Sequence, residues 1–308
     1  MNETIAVVVT YNRIDILRQC IEHLQKQSIP CDILVVDNAS TDATACFMEQ
    51  IENEHIFYYN TGQNLGGAGG FHTGIAIAAE SGQYEYIWIM DDDCLPERTA
   101  LAKLLEADEI LQGSYGWLSS QCLWTDGQRC QMNLQRKTPY TDIKDFSQKI
   151  IPAQMASFVS LFLKRKTVAL FGLPIKEFFI WTDDWEYTRR ISRALPCYVV
   201  RDSRVVHAMQ NPTVVNIATD TAERLPRYQY FYRNDVYLYR REGLKGWLWV
   251  IAKDTWHSVQ IIRHRKNVLK KLSIVWGNAW KGIFFHPMIE YCKKDAFKTE
   301  CGVLQKRT

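Results

Sequence analysis

Residues 86–93 read Tyr-Ile-Trp-Ile-Met-Asp-Asp-Asp, an apolar run (YIWIM) that ends in three aspartates. A short run rich in aromatic and β-branched residues reads as a strand covered on both faces. The pattern recurs upstream in Thr4 to Thr10 (TIAVVVT), Asp32 to Asp37 (DILVVD) and Ile56 to Tyr59. Between these runs the spacing is helical, over Arg13 to Gln27 (Ile14, Leu17, Ile21, Leu24) and over Asp42 to Glu54. A glycine-rich loop leads into a helix near Phe71 to Ser81, and Pro96 stands where a helix running to about Ile110 can begin. This alternation predicts an α/β fold, with a mostly parallel, helix-flanked sheet of Rossmann-like type and right-handed crossovers. Ligands of such sheets bind beyond the carboxyl ends of the strands, which is where the three aspartates fall.

Further along, residues 122–150 form a polar stretch, an insertion or acceptor-side loop. Gln154 to Leu163 reads as a strand, Asp183 to Ser192 as a helix and Tyr198 to Val206 as a strand. Beyond Arg227 the pattern is helical, with a stripe of Val268, Leu272, Val275, Ala279 and Ile283 flanked by Lys270, Lys271 and Lys281. The expected division is a catalytic domain over 1–226 and a helical appendix over 227–308.

The chain has 308 residues, 47% of them apolar, with 16 Gly and 9 Pro, which excludes disordered and collagen-like classes. Its nine cysteines form no C-x-x-C pair and are odd in number, which fits reduced thiols in the cytosol better than a disulfide framework or thiolate zinc site. The N-terminus, with Glu3 and a short apolar run from Ile5 to Val9, does not read as a secretory signal. No apolar stretch approaches the length of a membrane-spanning helix.

Charge is unevenly placed. Residues 1–239 hold 22 Lys and Arg against 29 Asp and Glu, a balance of −7, while residues 240–308 hold 15 against 5, a balance of +10. Five of the ten Trp (Trp247, Trp249, Trp256, Trp276, Trp280) lie in the basic end. That composition suits an anionic surface for the end alone, a phospholipid headgroup layer or a nucleic acid. The acidic body gives no support for nucleic-acid binding.

Four clusters carry chemistry. Asp91, Asp92 and Asp93 repel one another unless a cation relieves them, and carboxylate oxygens suit Mg²⁺ or Mn²⁺. Strand alternation would point Asp91 and Asp93 the same way and Asp92 elsewhere, although an acidic loop or helix cap accounts for the same letters. The Asn64-Leu65-Gly66-Gly67-Ala68-Gly69-Gly70-Phe71 segment lets backbone N–H groups approach an anion at a helix start. It matches neither a dinucleotide fingerprint nor a P-loop, and either a flexible turn or a sugar-nucleotide pocket fits it. In Trp181-Thr182-Asp183-Asp184-Trp185-Glu186-Tyr187, a carboxylate flanked by aromatic rings can take a proton from a sugar hydroxyl; an ordinary acidic helix start is the alternative. His207, at a strand end downstream of the acids, is a third metal-ligand candidate.

Taken together, these segments resemble glycosyltransferase family 2, of GT-A fold. The matching pieces are Val8-Val9-Thr10-Tyr11-Asn12-Arg13, Val35-Val36-Asp37-Asn38-Ala39-Ser40-Thr41-Asp42, the Asn64-to-Phe71 loop, Asp91 to Asp93 and Asp183-Asp184, over residues 4 to about 210. Within the family, the glycine loop, triple aspartate and WTDDWEY segment are most similar to bacterial galactofuranosyltransferases. The Tyr-rich stretch around Arg233-Asn234 resembles a segment shared with rhamnosyltransferases.

The resemblance implies an inverting, metal-dependent hexosyl transfer from a UDP-sugar in one displacement. It places Thr10 and Asp37 at the uracil and ribose, with Asn12 and Asn38 nearby, and Asn64, Gly66, Gly67 and Asp92 beside the donor. Asp91, Asp93 and His207 would hold Mn²⁺ or Mg²⁺. Asp184 would be the base, although the family's Glu-Asp pair stands here as Asp183-Asp184. Asp183, Glu186, Trp181 and Trp185 would contact acceptor or sugar.

The favoured donor is UDP-galactofuranose and the favoured acceptor a lipid-linked bacterial surface glycan, as in O-antigen and other cell-envelope polysaccharide biosynthesis. The basic, Trp-rich helices would hold the enzyme peripherally on the cytoplasmic face of the cell membrane; a helical cap or a homo-oligomer contact is the alternative. A dTDP-rhamnose-dependent enzyme is the nearest rival and a degenerate sugar-nucleotide-binding protein the non-enzyme one. A binder has no need of the base Asp184. A nucleotidyltransferase usually carries a basic glycine-rich segment after its first strand, where Tyr11-Asn12-Arg13 stands here.

Overall fold

A computed structural model of the chain describes residues 2–208 and 216–293. Cys301 and the last basic residues of the tail lie outside them. Strands β1 (Thr4–Thr10), β2 (Asp32–Asp37), β3 (Ile56–Asn60) and β4 (Tyr86–Asp91) alternate with helices α1 (Ile14–Gln25), α2 (Thr44–Glu49) and α3 (Gly66–Glu80). There follow β5 (Cys94–Pro96), α4 (Ala100–Ile110), β6 (Trp117–Leu123), a small hairpin of β7 (Arg136–Thr138) and β8 (Thr141–Asp142), β9 (Ile150–Pro152) and β10 (Leu161–Lys164). Then come α5 (Arg165–Phe171), α6 (Asp183–Ser192) and β11 (Tyr198–His207), and finally α7 (Tyr228–Tyr239), α8 (Gly243–His264) and α9 (Val268–Ile283).

The main sheet runs β3-β2-β1-β4-β10-β6-β11-β5, with β9 also paired to β11. Its first four strands are parallel, as the alternation predicts, because each crossover carries a helix. The second part is mixed. Strand β10 runs antiparallel to both β4 and β6, and β5 and β9 run antiparallel to β11.

All seven residues of β1 are buried, and their alternation feeds two cores. Ile5, Val7 and Val9 pack under α3 with Phe71, Ile75 and Ala78. Ala6 and Val8 pack on the other face with Leu17, Cys20, Ile21 and Leu24 of α1 and with Leu101 and Leu104 of α4.

Several predicted boundaries move, each for a local reason. The helix expected over Asp42 to Glu54 is only Thr44–Glu49, since Asp42 accepts from the Thr44 amide and hydroxyl and Asn53 turns the chain by accepting from the His55 amide. Pro96 ends an edge strand, where its missing N–H costs nothing, and the helix starts at Ala100. Helix α3 begins at Gly66, within the predicted glycine loop. The strand expected over Gln154 to Leu163 is confined to Leu161–Lys164, because the Ala156 amide and carbonyl bond to the Thr188 hydroxyl of α6.

The C-terminal helices pack on the body. Tyr228 of α7 meets Trp181, Val236 and Tyr239 cluster with Met155, and Phe178 packs against Tyr237. Among the described residues, no helix is long and apolar enough to cross a membrane.

Candidate active site

Register brings the acidic residues together. Val9 of β1 pairs with Asp91 of β4, so Thr10 and Arg13, just past β1, stand beside the aspartates. Thr10 donates its hydroxyl to Asp92 at 2.8 Å. Arg13 spans two carboxylates, with one nitrogen 2.8 Å from Asp92 Oδ1 and another 2.7 Å from Asp93 Oδ2. The predicted alternation of the three aspartates does not hold. Strand β4 ends at Asp91, the chain turns through Asp92 and Asp93, and those two share one guanidinium.

On the opposite side, His207 of β11 pairs antiparallel with Cys94, and the Ala208 amide donates to the Asp93 carbonyl at 2.8 Å. This places His207 Nε2 3.1 Å from Asp93 Oδ1. Burial alone would push the imidazole down, but Asp93 and Cys130 raise it to about 10. Burial would likewise raise Asp93, yet His207 and Arg13 hold it at about 2. Burial and the neighbouring Asp93 push Asp91 up to about 7.

These donors fit a hard divalent cation. Asp93 Oδ1 is buried and faces His207 Nε2 at 3.1 Å, while Asp93 Oδ2 is taken by Arg13. Carboxylate oxygens with an imidazole nitrogen suit Mg²⁺ or Mn²⁺.

Asp184 is the second residue of α6, behind a strained approach: Phe179, Trp181 and Thr182 all have positive φ, of 63°, 64° and 69°. The Asp184 carboxylate accepts from the Trp185 amide at 2.7 Å and is half-buried. Burial raises it well above the ordinary carboxylate range, and the charges of Asp183 and Asp91 add to the shift. Burial also lifts Asp183, to about 6. The Asp91 charge contributes to that shift, so the two carboxylates lie within electrostatic reach of each other.

Glu186 has a different place from the one expected. It is buried against Arg190 at 2.8 Å, and that guanidinium also donates to the Phe171 and Leu173 carbonyls. Its carboxylate is therefore committed to the body and not to a sugar hydroxyl. Trp181 packs against Tyr228 and Phe231, with ring centroids 5.2 and 5.8 Å apart. Trp185 lies beneath the Arg136 guanidinium.

Around the β1 and β2 ends, Asp37 is fully buried and accepts from the Tyr58 hydroxyl and the Ser40 amide. Asn12, at φ 54°, joins this loop by accepting from the Thr41 amide at 2.6 Å. Asn38 donates to the Gly66 carbonyl while its own carbonyl oxygen stays buried and unpartnered. Asn64 accepts from the Gly66 amide at 2.8 Å, and Gly67 has open space where a side chain would be. The other glycines serve packing: a Cβ on Gly70 would run into Val9 and Asn38.

Three features escaped the sequence reading. The Arg13 fork lay within a quoted motif without a role. The Cys122 and Cys130 thiols lie beside His207. Asn234 donates to the carbonyls of Phe178, Ile180 and Trp181, holding the strained approach to Asp184.

Residues 5–115 match the family model described as glycosyl transferase family 2. With the α/β sheet and its acid-rich rim, this makes the chain a glycosyltransferase with a family 2 domain on a GT-A fold. Over most of its length it is galactofuranosyltransferase-like: it is 27% identical over 294 residues to galactofuranosyltransferase GlfT1 of Mycobacterium tuberculosis, which covers 85% of this chain and 95% of the relative. Among solved structures it is similar to residues 1–349 of S. aureus TarS, with TM-score 0.51, 16% identity, and coverage of 92% of this chain and 72% of that one. It is also similar to the mannosyltransferase PcManGT of Pyrobaculum calidifontis, solved with GDP-Man and Mn²⁺, with TM-score 0.52, 16% identity, and coverage of 90% and 71%.

Proposed function

We propose that the protein transfers galactofuranose, with inversion, from UDP-galactofuranose to a hydroxyl of a lipid-linked bacterial surface glycan. The observation that carries the reading is the placement of Asp184. It is a half-buried carboxylate in the first turn of α6, held by the Trp185 amide behind a loop that Asn234 locks, and burial raises its basicity. A carboxylate of raised basicity suits proton abstraction from a weakly acidic sugar hydroxyl better than an ordinary one.

In this reading Thr10, Asn12, Asp37 and Asn38 surround the nucleoside. The α3 N-terminus, at Gly66 and Gly67, faces the diphosphate with its partial positive charge. Asp91, Asp93 and His207 would hold Mn²⁺ or Mg²⁺, which would supply stabilisation of the charge on the departing UDP. Asp184 takes the acceptor proton as the new C–O bond forms at the anomeric carbon and the bond to the diphosphate oxygen breaks. Asp183 and Trp185 orient the acceptor.

The donor assignment draws on the likeness to GlfT1 across nearly the whole of that relative. Attachment to the inner face of the membrane draws on the exposed Trp256, Trp276 and Trp280 of α8 and α9, together with the basic balance of the tail.

The test is turnover of the purified chain with UDP-galactofuranose and, separately, with dTDP-rhamnose, on a glycan acceptor with Mn²⁺. Product is expected from the first donor only. Asp184→Asn should lower kcat by about 10²- to 10⁴-fold while leaving UDP binding within about twofold. Turnover with dTDP-rhamnose alone would overturn the donor assignment, and wild-type kcat in Asp184→Asn would overturn the base.

A further inference from the structure

Strand β6 continues into a tight hairpin in which Leu123 pairs with Arg129 and the Cys130 amide donates to the Cys122 carbonyl at 3.0 Å. Cys122 and Cys130 therefore sit opposite each other across an antiparallel pair, where side chains are close neighbours. Both are free thiols and both are buried. Strand β11 runs beside β6 in parallel, pairing Val205 with Cys122, and its last residue brings His207 Nδ1 to 3.7 Å from Cys130 Sγ. The two sulfurs and a ring nitrogen all lie within 4.8 Å of one another.

We propose that Cys122, Cys130 and His207 form a site for a soft divalent cation of the zinc and cadmium type, separate from the Asp91 and Asp93 carboxylates and sharing with them only the imidazole. The argument is geometric and chemical. Tetrahedral bonds of about 2.3 Å to sulfur and about 2.0 Å to nitrogen put an S and an N ligand about 3.5 Å apart, and the thiol–imidazole separation here is 3.7 Å. Two sulfurs and one imidazole nitrogen are soft and borderline donors, unlike the oxygen-rich rim beside them. Trp124 stacks on the imidazole at 5.8 Å, which fixes the plane of the ring. Water completes the fourth position. Binding needs no oxidant: the two sulfurs and the imidazole Nδ1 release their protons to solvent as the two sulfur–metal bonds and the nitrogen–metal bond form.

The shared imidazole couples the two sites. With Nδ1 on a soft ion, the remaining ring proton resides on Nε2. That nitrogen then donates to Asp93 Oδ1 across 3.1 Å and has no lone pair left for a cation at Asp91 and Asp93. A soft ion at the thiols therefore opposes a hard ion at the carboxylates, a consequence that rests on the metal reading given above.

The experiment uses the full chain, reduced and stripped by chelation, in a Cys46→Ser background that removes the exposed thiol among the described residues. Cadmium alone is titrated, and sulfur-to-metal charge-transfer absorbance is followed. One equivalent is expected to saturate the band. The band should persist in Asp91→Asn and be lost in Cys122→Ala/Cys130→Ala, whose fold is checked by circular dichroism. No band in the otherwise unsubstituted chain at saturating cadmium, or an undiminished band in the double variant, would overturn the site. Mn²⁺ binding, followed by electron paramagnetic resonance, should weaken about tenfold or more when the thiol site is filled, as for loss of an orienting ligand partner, and should not respond to cadmium in the double variant. Absence of Mn²⁺ binding with the band intact would sink the carboxylate reading and leave the thiol site standing.

Discussion

Thr182 donates its hydroxyl to Asp235 of α7 across 2.7 Å, and the neighbouring Asn234 feeds three carbonyls of the same loop. The loop needs this help. Positive φ at a non-glycine residue costs of the order of 1 kcal/mol or more, and Phe179, Trp181 and Thr182 all carry it immediately before Asp184. Replacing Asn234 by Ala leaves those carbonyls short of a donor and should cost about 1–3 kcal/mol of stability. If the loop aims the base, kcat should fall at least about tenfold with KM for the donor little changed. A stability loss without a kcat effect would limit Asn234 to holding the fold.

Gly66 is the other side of the same contact. It has φ of +71°, and a Cβ there would meet the Phe179 carbonyl oxygen, while the Ala68 amide donates to that oxygen at 3.2 Å. Gly66→Ala should therefore destabilise the chain by about 1–3 kcal/mol and weaken UDP binding. Gly67→Ala faces open space and should be nearly neutral in a melting experiment. Equal effects of the two substitutions would remove the distinction.

How much of this was legible in sequence depended on range. Runs such as TIAVVVT announce themselves because a strand buried on both faces is apolar along its length, and the strand pattern put Asp91 at the end of β4 and His207 at the end of β11, with Asp93 in the turn that follows β4. The direction of β10 was not legible, since antiparallel insertion between β4 and β6 depends on the path of the 37-residue excursion from β6 to β10 and not on the LFLK letters themselves. Glu186 looked like part of an open acidic motif, but its partner Arg190 sits one helical turn away and takes it out of the cleft. The clamp at Asn234 joins residues more than 50 positions apart, and periodicity carries no information about such a pair.

A buried polar cluster in the helical region gives a pH signature. Tyr232 places its hydroxyl 2.9 Å from His257 Nδ1, and burial with Lys253 nearby pushes His257 down to about 4. Burial pushes Asp254 up to about 6 despite Lys253. The signs oppose each other. The native state prefers neutral His257, so its contribution is complete above the ordinary value of about 6.5 and is lost as pH falls towards 4. It also prefers neutral Asp254, so stability on that account rises as pH falls from about 6 towards the ordinary 3.9. Denaturant melts between pH 7 and 4.5 should show His257→Gln gaining on wild type by about 2 kcal/mol as pH drops, and Asp254→Asn losing ground over the same window. Parallel curves for all three would refute the assignment.

The exposed face of α8 and α9 makes the last prediction. Leu244, Leu248, Ile251 and Trp256 lie in the open along α8. Trp276 of α9 donates its indole N–H to Ser258 Oγ at 3.1 Å, which fixes it beside that row, and Trp280 packs edge-on to Phe284 one turn further along. Apolar side chains in such a row, flanked by Lys270 and Lys281, match the boundary of an anionic bilayer, where indoles sit at headgroup depth and each lysine adds about 1 kcal/mol. Co-sedimentation with phosphatidylglycerol vesicles should therefore exceed that with phosphatidylcholine vesicles and weaken with salt. Trp276→Ala/Trp280→Ala should reduce it about tenfold without altering turnover on a soluble acceptor. Equal binding of the double variant, or concentration-dependent dimerisation that the substitutions abolish in the absence of lipid, would reassign this face to contact between copies of the chain.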